Sequence, residues 1–306
     1  ATAAGASASP TTADPMNPHR FTDESRIQVL PTACMPGSSL ASAPRLFAAS
    51  RYAAVVGSVT RPMTRHINPE FTANGDRLEP VLASMRATPR PPREPVVIVT
   101  GWRSPRVSAG RLRRRLIDLT GASPDRILVV SYADVGRVDR AGERVRDAVQ
   151  ARGWDSTPVS VIGISMGGLV AKALATGALG APRMTIGRIF TLATPHRGAR
   201  LARLVRPDAA ARVMRPGSAQ LAELDAAFAQ HPVPLTSYTL LRDWWVGGIG
   251  TAGQDGLSHW LDAESPFQRL LAHFAIVHDQ RFAADIARRL REEEPLFLRP
   301  TRVPRD

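Results

Sequence analysis

The chain has 306 residues, 43% of them hydrophobic, a balance that suits one large domain or two small ones and argues against disorder over most of its length. Its formal charge of +13 comes from 40 basic residues, of which only Lys172 is a lysine; the 39 arginines are dispersed among alanines, and no RNP, zinc-finger or basic-zipper pattern accompanies them, so nucleic acid is not an expected partner. Cys34 is the single cysteine, which excludes an intrachain disulfide and a cysteine-based zinc site, and no apolar run approaches the roughly 18 residues of a membrane span.

Residues 1–18, rich in Ala, Thr, Ser and Pro, cannot bury enough apolar surface to fold alone and are expected to form a flexible, low-complexity N-terminus. "LPTAC" at 30–34 resembles a lipoprotein cleavage box, but no apolar segment precedes it. Residues 19–93 are expected to form an extension packed on the main domain. Within it "RLFAASRYAAVV" (45–56) reads as a short helix or a strand, "RPMTRHINP" (61–69) as irregular, and "DRLEPVLASMRA" (76–87) has helical spacing. The proline-rich "TPRPPREP" (88–95) is a stiff connector.

From Pro95 onward, strands and helices alternate. "VVIVT" (96–100) is a continuous apolar run of the kind a strand buried on both faces shows. "SAGRLRRRLIDLTG" (108–121) follows as a helix, with Ser108 as cap and Gly121 as stop. "RILVVSY" (126–132) is a second strand and residues 137–153 a second helix. "PVSVIGI" (158–164) and "MGGLVAKALATG" (166–177) are the third pair, and "RIFTLAT" (188–194) the fourth strand. This alternation predicts a parallel sheet with helices on both faces. Ligands of such sheets bind at the carboxyl ends of the strands, where Gly101-Trp102, Asp134, Ser165 and the "ATPHRG" stretch fall.

Gly163-Ile-Ser165-Met-Gly167 stands between the third strand and its helix, the context that a nucleophile elbow requires. A serine on so sharp a turn takes unfavourable backbone angles. Glycines two residues either side let the flanking chains pass closely, and the helix N-terminus favours developing negative charge. Serine is a poor nucleophile without a base, so a histidine and an orienting acid must follow. Of the seven histidines, His273 is placed where a final strand ends and the chain loops toward the closing helix, with His278 as its rival. For the acid, Asp243 directly follows a strand at 235–241, and Asp255 and Asp262 are its replacements. Oxyanion donors are expected from the backbone N–H of Met166, next to the nucleophile, and of Trp102, on the loop after the first strand. The Trp102 indole either lines an acyl pocket or packs structurally. Arg103 and Arg106 near that loop either attract an anionic substrate or lipid head group or are simply solvated.

Taken together, "VVIVTGW", "VIGISMGGLVAKA", "IFTLATPHRGA", "RPGSAQLAELD", "YTLLRDWWVG" and "HFAIVHDQRFAADIARRL" resemble the bacterial lipase/esterase branch of the α/β-hydrolases, similar to triacylglycerol lipases and to GPI inositol deacylases. The resemblance spans residues 94–292. It implies an α/β-hydrolase fold, that is, α/β with a mostly parallel central sheet, helices on both faces and a small helical cap or lid at 198–234, followed by a C-terminal tail at 293–306. An ordinary surface helix pair is the other reading of 198–234. By the resemblance Ser165 is the nucleophile, Asp243 the acid, His273 the base, and Met166 and Trp102 the oxyanion donors. Where the family commonly has His-Gly after the first of these strands, this chain has Thr100-Gly101, which keeps the backbone donor.

The expected activity is that of a serine carboxylic-ester hydrolase, an esterase or lipase working through an acyl-enzyme. An acyltransferase with the same triad and a non-catalytic binding protein on the same fold are the alternatives. No metal or organic cofactor is implied. The expected partners are a small-molecule or lipid ester and, peripherally, a lipid surface. The protein is expected to be soluble, either cytoplasmic or exported with a signal already removed.

Overall fold

The computed structural model describes residues 65–304 apart from Pro105, Ala133, Asp134, residues 204–208, Gln254, Pro266, Phe267, Arg269 and Leu270. The readings of residues 1–18 and 45–56, Cys34, and Asp134 at the sheet edge lie outside the described residues.

Short apolar runs set the frame. Val96–Val99 (β1), Ile127–Val130 (β2), Val159–Ile164 (β3), Ile186–Leu192 (β4), Leu235–Leu240 (β5) and Leu257–Leu261 (β6) pair in parallel, in the order β2-β1-β3-β4-β5-β6. Thr301–Arg302 (β7) joins the outer edge of β6 antiparallel. Helices Leu78–Ala87 (α1), Gly110–Thr120 (α2), Val138–Gln150 (α3), Met166–Thr176 (α4), Ala209–Val213 (α5), Ala219–Gln230 (α6), Gly248–Thr251 (α7), Ala272–Ala275 (α8) and Gln280–Leu290 (α9) complete the described elements. All belong to one compact unit, Ser58–Asp306.

The period of two along a strand divides the core into two layers. Val96 and Ile98 join Leu112, Leu116, Phe282 and Ile286 from α2 and α9 on one face. Val97 and Val99 join Val145, Leu169, Val170 and Leu221 from α3, α4 and α6 on the other. Each such side chain stabilises the fold by up to about 1.5–3 kcal/mol when fully buried. Helix α3 shows the matching helical period: Val138, Ala141, Val145 and Val149 are buried, with charged residues between them. Helix α4 is buried along Met166–Ala175. Its Lys172 ion-pairs with Asp225 of α6, as a buried ammonium requires.

Register carries the strand ends to one edge. Val99 sits opposite Val130 and Gly163, Ile164 opposite Leu192, and Leu192 opposite Tyr238. The residues that follow, Thr100, Ser165, Ala193 and the loop after Leu240, therefore share the carboxyl edge of the sheet.

Two local expectations are corrected. No final strand ends at His273. The last parallel strand is "LSHWL" (257–261), and His273 lies in the short helix α8. Strand β6 escapes an apolar-run reading because Ser258 and His259 interrupt it. The Ser258 hydroxyl bonds the Ser237 carbonyl and the Thr239 hydroxyl, and His259 Nε2 faces Arg289, so both polar side chains are accommodated in the interior. The apolar run 270–277 reads equally well as strand or helix. The second correction concerns α2, which starts at Gly110 with Ala109 in the cap position. Ser108 falls within the preceding 3₁₀ turn, Arg106–Ala109.

Candidate active site

Strand β3 ends at Ile164, helix α4 begins at Met166, and the single residue between them turns the chain. Ser165 has φ 52° and ψ −125°, a combination costly for a residue with a Cβ. The two glycines of the motif have steric reasons. A Cβ on Gly163 would lie 2.4 Å from Gly168 Cα, and one on Gly167 would lie 2.3 Å from the Val99 carbonyl oxygen. Such contacts would push helix and strands apart, so the tight turn depends on their absence.

The loop after β1 passes directly over this turn. A Cβ built on Gly101 would meet Ser165 Cβ at 3.1 Å and Oγ at 3.7 Å. The loop is pinned by Ser104 N–H donating to the Gly101 carbonyl (3.1 Å), and by the Thr100 and Ser131 hydroxyls donating to the Ser104 carbonyl (3.2 and 2.8 Å). Among the described residues, neither the Trp102 nor the Met166 backbone N–H has a backbone acceptor. The Trp102 indole lines the cavity beside Ser165, and its Nε1–H is buried without an acceptor. Arg103 and Arg106 are both exposed, and the Arg103 guanidinium lies over the Trp102 ring, 5.2 Å from its centroid.

Asp243, three residues beyond Leu240 at the end of β5, is buried to 1% exposure. Its Oδ1 accepts the backbone N–H groups of Trp245 (3.0 Å) and Val246 (3.1 Å), which leaves Oδ2 for a side-chain partner. That partner is His273 Nδ1, at 2.8 Å, and His273 Nε2 stands 3.1 Å from Ser165 Oγ. Three side chains from positions 165, 243 and 273 thus form one continuous hydrogen-bonded row. With Nδ1 donating to the carboxylate, Nε2 is the free acceptor that faces the hydroxyl.

The other candidates sit elsewhere. Asp255 Oδ1 accepts Leu257 N–H (2.9 Å) on an exposed turn. Asp262 is buried at the end of β6, where it accepts the backbone N–H groups of His66 (2.9 Å) and Ala263 (2.8 Å). His278 is exposed, and its carbonyl accepts Arg115 Nη1 (2.6 Å). His196, in the "TPHRG" stretch, is buried, and its Nε2 shares a hydrogen bond with the Thr191 hydroxyl (3.0 Å). It lines a separate cavity of about 390 Å³ with Lys172, Asp225 and Ser237. Burial, with Lys172 close by, pushes its pKa down to about 3. Among the described residues, no group of three or more His, Cys, Asp or Glu side chains could hold a metal ion, and no helix is long and apolar enough to cross a membrane.

A cavity of about 670 Å³ opens beside Ser165 and His273, with mostly apolar walls that include Leu201, Ala211, Met214, Trp245 and Val246. Two aspects of this site were not legible in the sequence. Trp245, the second of the tandem tryptophans after Asp243, stacks on His273, with centroids 5.9 Å apart and planes 9° apart. Phe274 is edge-on to both rings. The "WW" doublet after a candidate acid was the available signal.

A doubly covered, mostly parallel sheet, a serine at a strained strand-to-helix turn, an acid from a later loop and a histidine from a later short helix define an α/β-hydrolase fold. No family model and no curated protein matches the sequence. Among solved structures the chain is similar to phospholipase PlaB from Legionella pneumophila, at 18% identity over 48% of this chain and 39% of that one, with a TM-score of 0.40. It is also similar to the mature lipase BlEst2 of Bacillus licheniformis (17% identity, 50% and 67% covered, TM-score 0.38). A third likeness is to the metagenomic carboxyl esterase MGS0156 (14% identity, 78% and 99% covered, TM-score 0.45). The chain thus spans about two-fifths of the length of PlaB. At these identities and scores the likenesses assign no activity, which must be argued from the side chains.

Proposed function

We propose that the protein is a serine carboxylic-ester hydrolase that works through an acyl-enzyme. The observation that carries this reading is the row Asp243 Oδ2···His273 Nδ1 (2.8 Å) and His273 Nε2···Ser165 Oγ (3.1 Å), which lies within the range a base needs to take a hydroxyl proton. Ser165 Oγ attacks the ester carbonyl while His273 Nε2 takes its proton. The imidazolium that results is held by Asp243, whose second oxygen is already occupied by two backbone N–H groups and so cannot swing away. The tetrahedral oxyanion rests on the Met166 and Trp102 backbone N–H groups, with the N-terminus of α4 reinforcing the first. His273 then returns the proton to the leaving alcohol, and the carbonyl of the acyl-Ser165 ester re-forms. In the second half-reaction His273 draws a proton from water, the hydroxide adds to the acyl carbonyl, and Ser165 leaves with that proton as the acid is released.

The cavity walls support an acyl group as the part of the substrate bound beside Ser165, since apolar surface gains most from contact with methylene groups. Ala199, Leu201, Ala202, Ala211 and Met214, all from the segment between β4 and β5, supply one side of that cavity, and we assign this part of 198–234 the role of a cap over the acyl group. Half-exposed Phe274, which also lines the cavity, is the side chain of this site that would meet a lipid surface.

Labelling with a fluorophosphonate tests the reading directly, because the reagent needs an activated serine and an oxyanion site. Peptide mapping is expected to find one adduct, on Ser165, absent from Ser165→Ala. A native protein that takes up no label would overturn the proposal.

A further inference from the structure

We infer that Trp245 is a positioning residue for His273, acting through the face of the imidazole rather than through the acyl group. The inference rests on the ester-hydrolase reading above and concerns the same site. Two hydrogen bonds, at Nδ1 and Nε2, hold the imidazole by its edge. They leave the ring free to rock about the line joining the two nitrogens, and rocking turns the Nε2 lone pair away from Ser165 Oγ. The Trp245 indole lies parallel to the ring, 9° between planes and 5.9 Å between centroids, and the edge of Phe274 meets both rings at 80–84° and 5.1–5.4 Å. One face and one flank of the imidazole are thereby restrained.

The backbone of Trp245 is itself tied to the acid. Its N–H donates to Asp243 Oδ1 (3.0 Å), and its carbonyl accepts Leu201 N–H (3.1 Å). Gly247 N–H closes the same turn on the Asp243 carbonyl (2.7 Å). A single tight turn therefore presents a carboxylate to one edge of His273 and an aromatic face to its plane.

This placement has a consequence in the transition state. When Ser165 transfers its proton, the imidazole becomes a cation stacked against Trp245 at 5.9 Å between centroids, the outer edge of the roughly 6 Å over which a tryptophan ring, the best of the aromatic partners, attracts a charge. The attraction is absent while His273 is neutral, so it lowers the barrier without tightening ground-state binding. It should appear in kcat and leave KM nearly alone.

The test uses p-nitrophenyl acetate, an ester with no long chain to fill the cavity. Trp245→Leu, which keeps an apolar wall, should lose kcat roughly three- to thirtyfold with KM changed by less than about twofold. Trp245→Phe should recover most of the loss. Uniform incorporation of mono- and difluorotryptophan replaces all five tryptophans without changing their shape. It should lower kcat stepwise in the native sequence and more steeply than in Trp245→Phe, where any remaining slope comes from the other four tryptophans, Trp102 of the cavity wall among them, a readout that holds even if Trp245→Leu fails to fold. A Trp245→Leu protein that is folded, turns over acetate normally and loses only long-chain esters would make Trp245 an acyl wall and overturn the inference. A fluorination series that is flat in the native sequence would also overturn it. Ser165→Ala serves as the control: if it retained the rate, the ester-hydrolase reading would fail, whatever Trp245 does.

Discussion

The Thr194 hydroxyl donates to the backbone carbonyl of Ser165 at 2.8 Å, and the same side chain fills the space beside Gly168. A Cβ at Gly168 would lie 2.1 Å from Thr194 Oγ1 and 2.7 Å from its Cγ2. The loop after β4 therefore locks the strained serine turn from below. Thr194→Val keeps the shape and loses the donor, so it should cost about 1 kcal/mol, read as a lower urea midpoint. Gly168→Ala forces the loop away and should cost about 1–3 kcal/mol, with a larger loss of kcat. A Gly168→Ala protein as stable and as active as the native one would mean that Thr194 does not occupy this position.

The choice of histidine and acid can be read from four variants. His273→Ala and Asp243→Asn should each depress kcat by orders of magnitude, since His273 Nε2 takes the Ser165 proton and Asp243 holds the Nδ1–H tautomer that leaves Nε2 able to take it. His278→Ala and Asp255→Asn should stay close to the native rate, because their partners, Arg115 Nη1 at the His278 carbonyl and Leu257 N–H, lie outside the row. Retained activity in His273→Ala alongside its loss in His278→Ala would reverse the assignment.

Acid stability follows from His196. Its folded pKa, about 3, lies well below the ordinary 6.5, because burial disfavours the imidazolium and Lys172 adds repulsion. The depression has a definite sign. Between 6.5 and about 3 the unfolded chain carries a proton at this residue that the folded chain refuses, so stability rises with pH and falls as acid is added. His259, brought down to about 4 chiefly by burial, acts in the same direction. Urea unfolding from pH 7 to pH 4 should therefore show a progressive loss. His196→Gln, which replaces the imidazole by a polar amide that does not titrate, should flatten the dependence by about one proton. Identical slopes for the two proteins would show that His196 is protonated in the fold.

Much of this arrangement is local, and local patterns are what a sequence displays. Val96–Val99, Val159–Ile164 and the glycines around Ser165 announce themselves because strand, turn and helix are consecutive in the chain. So does Asp243, which directly follows an apolar strand. The rest depends on contacts distant in sequence. Strand β6 was hidden because Ser258 bonds Ser237 and Thr239 and His259 Nε2 faces Arg289, partners that no window around residue 259 contains. The α8 helix was hidden because its apolar run suits either period. The parallel seating of Trp245 on His273 joins positions 28 residues apart, and nothing in "RDWWVG" says which face of the indole is used. His196 stood out in a motif, yet its buried bond to Thr191 emerges only when the loop after β4 folds back on the strand.

The most direct test of the central claim is hydrolysis of p-nitrophenyl esters from acetate to palmitate by the native protein and by Ser165→Ala, side by side. Turnover that falls by several orders of magnitude in the variant, with the row to His273 and Asp243 otherwise intact, is the predicted result. Near-native rates in Ser165→Ala would contradict it, and with it the assignment of Asp243, His273, Met166 and Trp102.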